Sequence, residues 1–401
     1  MKEIPATWAQ QMQELLGSEA HCLIRAIDEP PAVAIRLNPR KNSRLACPSQ
    51  PIPWNPSGYY IADAPFGFDP LWHAGAYYVQ EPSSQFVARA IETALSSLET
   101  PPRVLDLCAA PGGKSLLIAD TLPPGSLLVA NEVVPRRAQK LSENLAKWAH
   151  PDVIQTRNEA ADFGQRLPAF FNIIAVDAPC SGEGMMRRSP EARAQWSPSL
   201  QEQCAALQRT IVTNVWPALQ DGGFLIYSTC TFNTLENEQN VHFFTTHLGA
   251  QPVEIPLFPH LRSPFGPGYR FFPHKVRGEG FYLALLRKPG SSSLLTPHSS
   301  LLSPHSSLLT SCLSVINYRQ ELPTQASYEV DYTTALQYLH GDVLRLPPQV
   351  PRGSILITHQ SLPLGLVNNL GSRANNLYPK QWRLRSTHFP TCQPVVVRIN
   401  H

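Results

Sequence analysis

Four short apolar runs punctuate the middle of this chain: RVLDL (103–107), LLVANE (127–132), NIIAVDAP (172–179) and GFLIYSTC (223–230). Helical patterns lie between them, such as PRRAQKLSENLAKWA (135–149) and SLQEQCAALQRTIVTNVWPAL (199–219). Runs rich in Val, Ile and Leu, separated by helices of this length, indicate strands buried on both faces and joined by crossovers. The fold class is therefore α/β, a doubly wound, mostly parallel sheet. In such sheets ligands bind at the carboxyl ends of the strands, so the residues that follow each run carry the most information.

The first run leads into Cys108-Ala109-Ala110-Pro111-Gly112-Gly113-Lys114-Ser115, then the apolar LLIA of a helix. Small residues and paired glycines let backbone pass close to a ligand, and the helix start behind them offers free N–H groups. The spacing is neither GxGxxG nor a Walker loop. It points to a nucleotide-like ligand without naming it, and a tight strand-to-helix turn is the plainer alternative. The second run ends at Glu132, about twenty residues past the glycine loop, where a carboxylate suits ribose hydroxyls. The third ends in Asp177-Ala178-Pro179-Cys180-Ser181-Gly182-Glu183-Gly184, and the fourth in Ser228-Thr229-Cys230-Thr231. A buried Cys is most often packing. Two of them at this edge, one following Asp-Ala-Pro, point instead to nucleophile chemistry. Backbone N–H groups of a helix after Cys230 would favour its thiolate.

Composition sets the outer limits. The 401 residues are 43% hydrophobic and 16% charged, which supports two or three domains rather than wholesale disorder. No apolar run approaches the roughly 18 residues of a membrane helix, and MKEIPATWAQQMQELL has no signal-peptide core; a cytoplasmic protein without a membrane partner is expected. The eight cysteines include no CxxC pair, which disfavours a zinc cluster or a disulfide framework, and no metal is expected. Residues 1–75 join a helical start to strand-like pieces, a small α+β region. Residues 76–289 hold the α/β pattern. The segment 290–311, GSSSLLTPHSSLLSPHSSLLTS, reads as a Ser/Pro-rich linker, and 312–401 form a C-terminal domain. From Val343 to His401 there is no Asp or Glu, against Arg345, Arg352, Arg373, Lys380, Arg383, Arg385 and Arg398. A basic surface on an otherwise acidic chain suggests a polyanionic partner; a few surface arginines in a proline-rich tail is the bland alternative.

Three ordered motifs carry a resemblance. DLCAAPGGKS, DAPCSGEGMMRR and YSTCTFNTLENE, in that order, resemble the Sun-type (nucleolar-protein) family of S-adenosylmethionine-dependent RNA cytosine-C5 methyltransferases. The upstream YYVQEPSSQF (77–86) is similar to the opening of that family's catalytic core. LPLGLVNNLGSRANNLYPKQWRLR (362–385) is similar to the C-terminal RNA-binding region of its bacterial rRNA small-subunit methyltransferase F branch. The resemblance implies a Rossmann-like methyltransferase domain, an N-terminal RNA-binding region and a PUA-like C-terminal RNA-binding domain. It implies S-adenosylmethionine as cofactor, with Cys108, Ala109, Ala110, Pro111, Gly112, Gly113 and Lys114 around its methionine and ribose. Glu132 would hold the ribose hydroxyls, Glu159 would lie next to the adenine with Asp162 close by, and Asp177 would face both cofactor and target base. Cys230 would be the nucleophile, and Cys180 would help release product. The implied substrate is RNA, 16S rRNA or the ribosomal subunit ahead of tRNA, acted on by a monomer.

The chemistry accounts for these residue types. Carbon 5 of cytosine is a poor nucleophile. Thiolate addition at carbon 6 turns it into an enamine-like carbon that takes a sulfonium methyl, while a group such as Asp177 hydrogen-bonds the ring. A base must then remove the carbon 5 proton so that the Cys can leave. The target base must also leave its stack. A DNA cytosine methyltransferase would use the Pro-Cys thiol, here Cys180, so the presence of both Pro-Cys and Thr-Cys favours the RNA type. A dehydrogenase would need GxGxxG, and a non-catalytic RNA-binding protein has no need of two strand-end thiols.

Overall fold

The computed structural model describes residues 3–290, 315–316, 326–386 and 388–400. The expected linker, apart from Gly290, lies outside the described residues. Two compact units emerge, and neither is one continuous stretch of chain: Met1–Ala32 with Glu81–Leu141 and Pro151–Asn317, and Val33–Gln80 with Ser142–His150 and Tyr318–His401. The region expected as 1–75 is thus divided between them.

The first unit is built on eight labelled strands: β1 (Arg103–Asp106), β2 (Leu127–Asn131), β3 (Val153–Thr156), β4 (Phe171–Asp177), β5 (Leu219–Thr229), β6 (Gln251–Val253), β7 (Tyr269–Phe271) and β8 (Phe281–Arg287). Their order is β6-β8-β5-β4-β1-β2-β3, with β7 beside β8 and Val315–Ile316 beside β3. β1 to β5 run parallel, and β8 runs antiparallel to β5. The order reverses at β1, which lies between β2 and β4, so a crevice opens at their carboxyl ends. All five residues of β2 and the last three of β1 are buried, as runs covered on both faces require. The helices that follow the strands are α1 (Gly113–Thr121), α2 (Pro135–Trp148), α3 (Ala160–Arg166), α4 (Pro198–Val215) and α5 (Glu238–Leu248). Two strands carry little sequence signal. β3 is short and half polar, and β8, FYLALLR, is an apolar run that periodicity cannot tell from a buried helix.

Helices Ala6–Leu16 and Ala20–Asp28 belong to this unit. Trp8 and Met12, one turn apart, and Ala20, Leu23 and Ile27 form buried stripes. They pack with Met186, Trp196, Phe232 and Phe272, each fully buried large side chain contributing about 1.5–3 kcal/mol. The buried Arg193 guanidinium pairs with Asp28 at 2.9 Å. The amino-terminal helices therefore brace the segments that follow β4 and β5.

The second unit has its own core. One antiparallel sheet has the order Ser49–Ile52, Asn55–Ile61, Ala34–Leu37, Tyr77–Val79; a mixed sheet has Ser327–Glu329, Gly353–His359, Leu362–Asn369, Ala374–Asn376, its first two strands parallel. Ile35 and Tyr77 from the first and Leu71 from helix Pro70–His73 share a single apolar cluster with Ile357 and Val367 from the second and Leu339 from helix Tyr332–His340. The two sequence-distant parts also share a ribbon, Ser43–Leu45 paired with Val397–Ile399.

Candidate active site

The glycine loop is held open by neighbouring strands rather than by its own contacts. Gly112 sits at φ 116° as the N-cap of α1, a left-handed conformation that favours glycine. Ala109 N–H donates to the Asn131 carbonyl at 2.8 Å, and the Asn131 amide donates to the carbonyls of Leu107 and Asn158 at 3.0 and 2.9 Å. Its side-chain oxygen accepts from Thr156 and from the Asn158 N–H, both at 2.9 Å. Asn131 thus ties the ends of β1, β2 and β3 into one rim. Nothing in the sequence pattern marks it, because it reads as the last residue of an apolar strand.

Glu132 follows β2 and is 2% exposed. Its Oε1 accepts from Val134 N–H at 3.0 Å. Its Oε2 has no hydrogen-bond donor, only Arg137 at 3.4 Å. A buried carboxylate oxygen without a donor is costly unless a ligand supplies one, and ribose hydroxyls would. The residues present therefore fit a nucleoside. Glu159 is placed differently from a free adenine contact. It is exposed, and as the N-cap of α3 it shares a capping box with Asp162, whose Oδ2 accepts from Glu159 N–H at 3.0 Å. Asp106, which the sequence reading passed over, is buried beside the loop, and desolvation pushes its carboxyl up to about 7, against the opposing hydrogen bond from Ser115 at 2.6 Å. Burial likewise raises the Cys108 thiol, with Asp106 adding to it.

Asp177 ends β4. Its Oδ2 accepts from Lys114 Nζ at 2.9 Å and its Oδ1 from Ser228 at 2.9 Å. Burial works to lower the Lys114 ammonium, and the Asp177 charge and hydrogen bond outweigh it, leaving its pKa raised. Lys114 at the end of the glycine loop thereby pairs with the carboxylate expected to face the target base. Beyond Asp177, Cys180 Sγ lies 3.2 Å from Cys230 Sγ. The Cys180 thiol is pushed well above its ordinary value, first by this contact and then by desolvation; either sulfur can donate to the other across the contact.

The expected helix after Cys230 does not begin there. α5 starts only at Glu238, and the N–H groups of Phe232 and Asn233 donate to the buried Glu183 carboxylate at 2.5 and 2.9 Å. Glu183 also accepts from Trp196 and Gln201, so those amides are taken and the sulfur's neighbour is the Cys180 thiol instead. A second buried carboxylate, Glu236, binds the Ser181 N–H and hydroxyl, Gln208 and Asn233; desolvation raises its pKa, and the Ser181 and Asn233 hydrogen bonds oppose that. Gly184 N–H reaches the Cys230 carbonyl at 2.9 Å. A Cβ at 184 would sit 3.0 Å from both the Cys230 and Gly280 oxygens, so the close approach requires glycine. Glu183 and Glu236 thus clamp the two cysteine segments together. Their sequence signal was present, in SGEG and LENE, but each read as part of a motif rather than as a clamp.

Sheet order, glycine loop, buried strand-end carboxylate and strand-end thiols define the class: a doubly wound S-adenosylmethionine-dependent methyltransferase fold. Comparisons with known proteins agree. The family model for 16S rRNA methyltransferase RsmB/F matches residues 93–287, that for the N-terminal domain of 16S rRNA methyltransferase RsmF matches 4–82, and that for the methyltransferase RsmF PUA domain matches 325–384. The chain belongs to the RsmB/F methyltransferase family, in its RsmF branch. Ribosomal RNA small subunit methyltransferase F of Erwinia tasmaniensis is 34% identical over 308 residues, covering 72% of this chain and 64% of that protein; the chain thus spans less than two thirds of this relative's length. The protein of the same name from Salmonella agona is 29% identical over 465 residues, covering 94% and 96%. The fold is that of NSun6 from Pyrococcus horikoshii with SFG, at TM-score 0.62, 21% identity, 72% of this chain and 99% of that one. Among the described residues no helix is long and apolar enough to cross a membrane, and no group of His, Cys, Asp and Glu is placed to hold a metal ion.

Proposed function

We propose that the chain is an S-adenosylmethionine-dependent RNA cytosine-C5 methyltransferase that forms 5-methylcytosine in 16S rRNA through a covalent bond from Cys230 to carbon 6. The observation that carries this reading is the Cys180–Cys230 contact at 3.2 Å, just beyond the carboxyl ends of two paired parallel strands. The names of the relatives support rRNA ahead of tRNA.

Residues Cys108 to Lys114 and Glu132 would hold the cofactor's methionine and ribose, and Glu159 would meet the adenine by loosening its capping box. When bound, that cofactor supplies an electrophilic sulfonium methyl group. Cys180 donates a hydrogen bond to the Cys230 sulfur and so stabilises its thiolate. The Cys230 thiolate adds to carbon 6, and the electron pair of the C5–C6 bond moves to carbon 5, ready to take the methyl. Asp177 accepts from the exocyclic amino group of cytosine, and Lys114, already paired with Asp177, stands by to donate to ring nitrogen 3. After transfer a base removes the carbon 5 proton, the C6–S bond breaks, and the Cys180 thiol again donates to the departing sulfur. The buried clamps of Glu183 and Glu236 keep both sulfurs in place without reorganisation.

Bisulfite sequencing of total RNA from cells with and without the chain tests the reading. A cytosine in small-subunit rRNA that becomes unprotected only when the chain is lost is expected. An unchanged 5-methylcytosine map would overturn it.

A further inference from the structure

The ribbon that closes the second unit carries a charge arrangement that nothing among the described residues answers. Arg44 and Arg398 are register partners in the antiparallel pair Ser43–Leu45 and Val397–Ile399, and both are exposed. Directly opposed residues share one face with Cβ atoms about 5 Å apart, and like charges there repel. Among the described residues neither side chain has an ion-pair or hydrogen-bond partner. Beside them lies a cavity of about 340 Å³ lined by Arg398, Gln360, Gln393, Pro394 and Val395, at the small end of the range for ligand cavities.

The polar wall of that cavity is held in place. Gln393 donates to the buried Asp69 at 3.3 Å, while its oxygen faces His359 Nε2 at 3.2 Å and accepts from Gln360 at 3.4 Å. Gln360 and Ser361 adopt φ values of 48° and 63° in the turn between strands Gly353–His359 and Leu362–Asn369. Neither is glycine, so each carries a steric cost. The Gln360 amide keeps an acceptor and a donor for a ligand, beside the apolar faces of Pro394 and Val395.

We propose that this ribbon and cavity hold one unpaired nucleotide of an RNA chain, its phosphate across Arg44 and Arg398 and its base against the Gln360 amide. The proposal rests on the RNA-methyltransferase reading above and adds a second RNA contact, assembled from the two ends of the chain. A phosphate bridging both guanidiniums removes their repulsion and uses their fork geometry. An amide offering donor and acceptor side by side matches a base edge, and a flat apolar wall suits its π-face. An acidic peptide would answer the arginines and leave the cavity unused.

The test titrates the full chain with a short, mixed-sequence single-stranded RNA by fluorescence anisotropy across a salt series. Arg44→Gln/Arg398→Gln is expected to weaken binding about tenfold and to lower the salt slope by about 0.7, the signature of one lost phosphate contact on a single strand. Gln360→Ala is expected to weaken binding about threefold at an unchanged slope, as loss of a neutral hydrogen bond does. Arg352→Gln/Arg373→Gln removes the same charge from exposed positions away from the ribbon and is expected to change affinity less than about twofold. An equal loss in both double variants would overturn the site, because net charge alone would then explain it. So would wild-type binding by the Arg44/Arg398 variant, or competition by polyglutamate as effective as by RNA. Matching thermal melts show that each variant is folded. Methyl transfer to total RNA by the wild type is measured in parallel: transfer with undiminished binding by the ribbon variant overturns the ribbon site alone, whereas no transfer overturns the enzymatic reading and leaves the binding result to decide the site.

Discussion

In the first unit, three carboxylates are buried and answered: Asp106 by Ser115, Glu183 by four donors, Glu236 by Ser181, Gln208 and Asn233, all at 1% exposure or less. In the second unit the charge balance is cationic, and Arg44 and Arg398 are exposed with no partner among the described residues. It carries 13 Lys and Arg against 7 Asp and Glu, whereas the first carries 20 against 23. The contrast follows from two tasks. A site that must hold two sulfurs at a fixed separation needs satisfied, low-dielectric networks that do not reorganise. A surface that meets a polyanion needs charges still hydrated and ready to exchange counterions for phosphates. On the proposed reading, rigidity is concentrated where bonds are made, and unanswered charge where RNA is met.

The strongest way to break this comparison is at the sulfurs. Cys230→Ala is expected to lower methyl transfer by more than about a thousandfold and to form no covalent RNA adduct. Cys180→Ala is expected to attack and transfer once, then stall as an S-adenosylmethionine-dependent protein–RNA band on a denaturing gel. The reverse pattern would reassign the nucleophile to the Pro-Cys thiol. Next in size is the integrity of the second unit. Ending the chain at residue 325 removes 15 of the 21 buried residues in the apolar cluster around Ile35 and Tyr77, so hydrogen exchange in Val33–Gln80 is expected to approach that of an unfolded segment, while the first unit still binds S-adenosylmethionine. Full protection of Val33–Gln80 in the shortened chain would show that the composite unit is not a cooperative one.

Smaller effects sharpen the contrast. Glu236→Ala strands several buried donors at once and is expected to cost about 3 kcal/mol in denaturant unfolding, with methyl transfer falling further than stability alone accounts for. Intact turnover in a folded Glu236→Ala protein would remove the clamp from the mechanism. Smallest is Glu132→Ala, expected to weaken S-adenosylmethionine binding roughly tenfold to a hundredfold, the worth of a hydrogen bond to a charged group, while single-stranded RNA affinity stays the same. A change in RNA affinity instead would mean that Glu132 does not face the cofactor.

The sequence by itself determined the parallel sheet, the strand-end positions of Glu132, Asp177, Cys180 and Cys230, the glycine loop and the basic tail. Each of these is local: a run of apolar residues, a spacing, a composition. The tertiary structure decided what depends on contacts between distant segments. It brought the two sulfurs to 3.2 Å, turned Lys114 towards Asp177, and placed Glu183 rather than a helix start over the amides after Cys230. It also sent residues 6–28 to brace the segments that follow β4 and β5 and joined Val33–Gln80 with the C-terminal sheet around one core. Local pattern states which face of a segment is apolar, but not which of several apolar faces it will meet; that choice is made by burial of the whole chain at once.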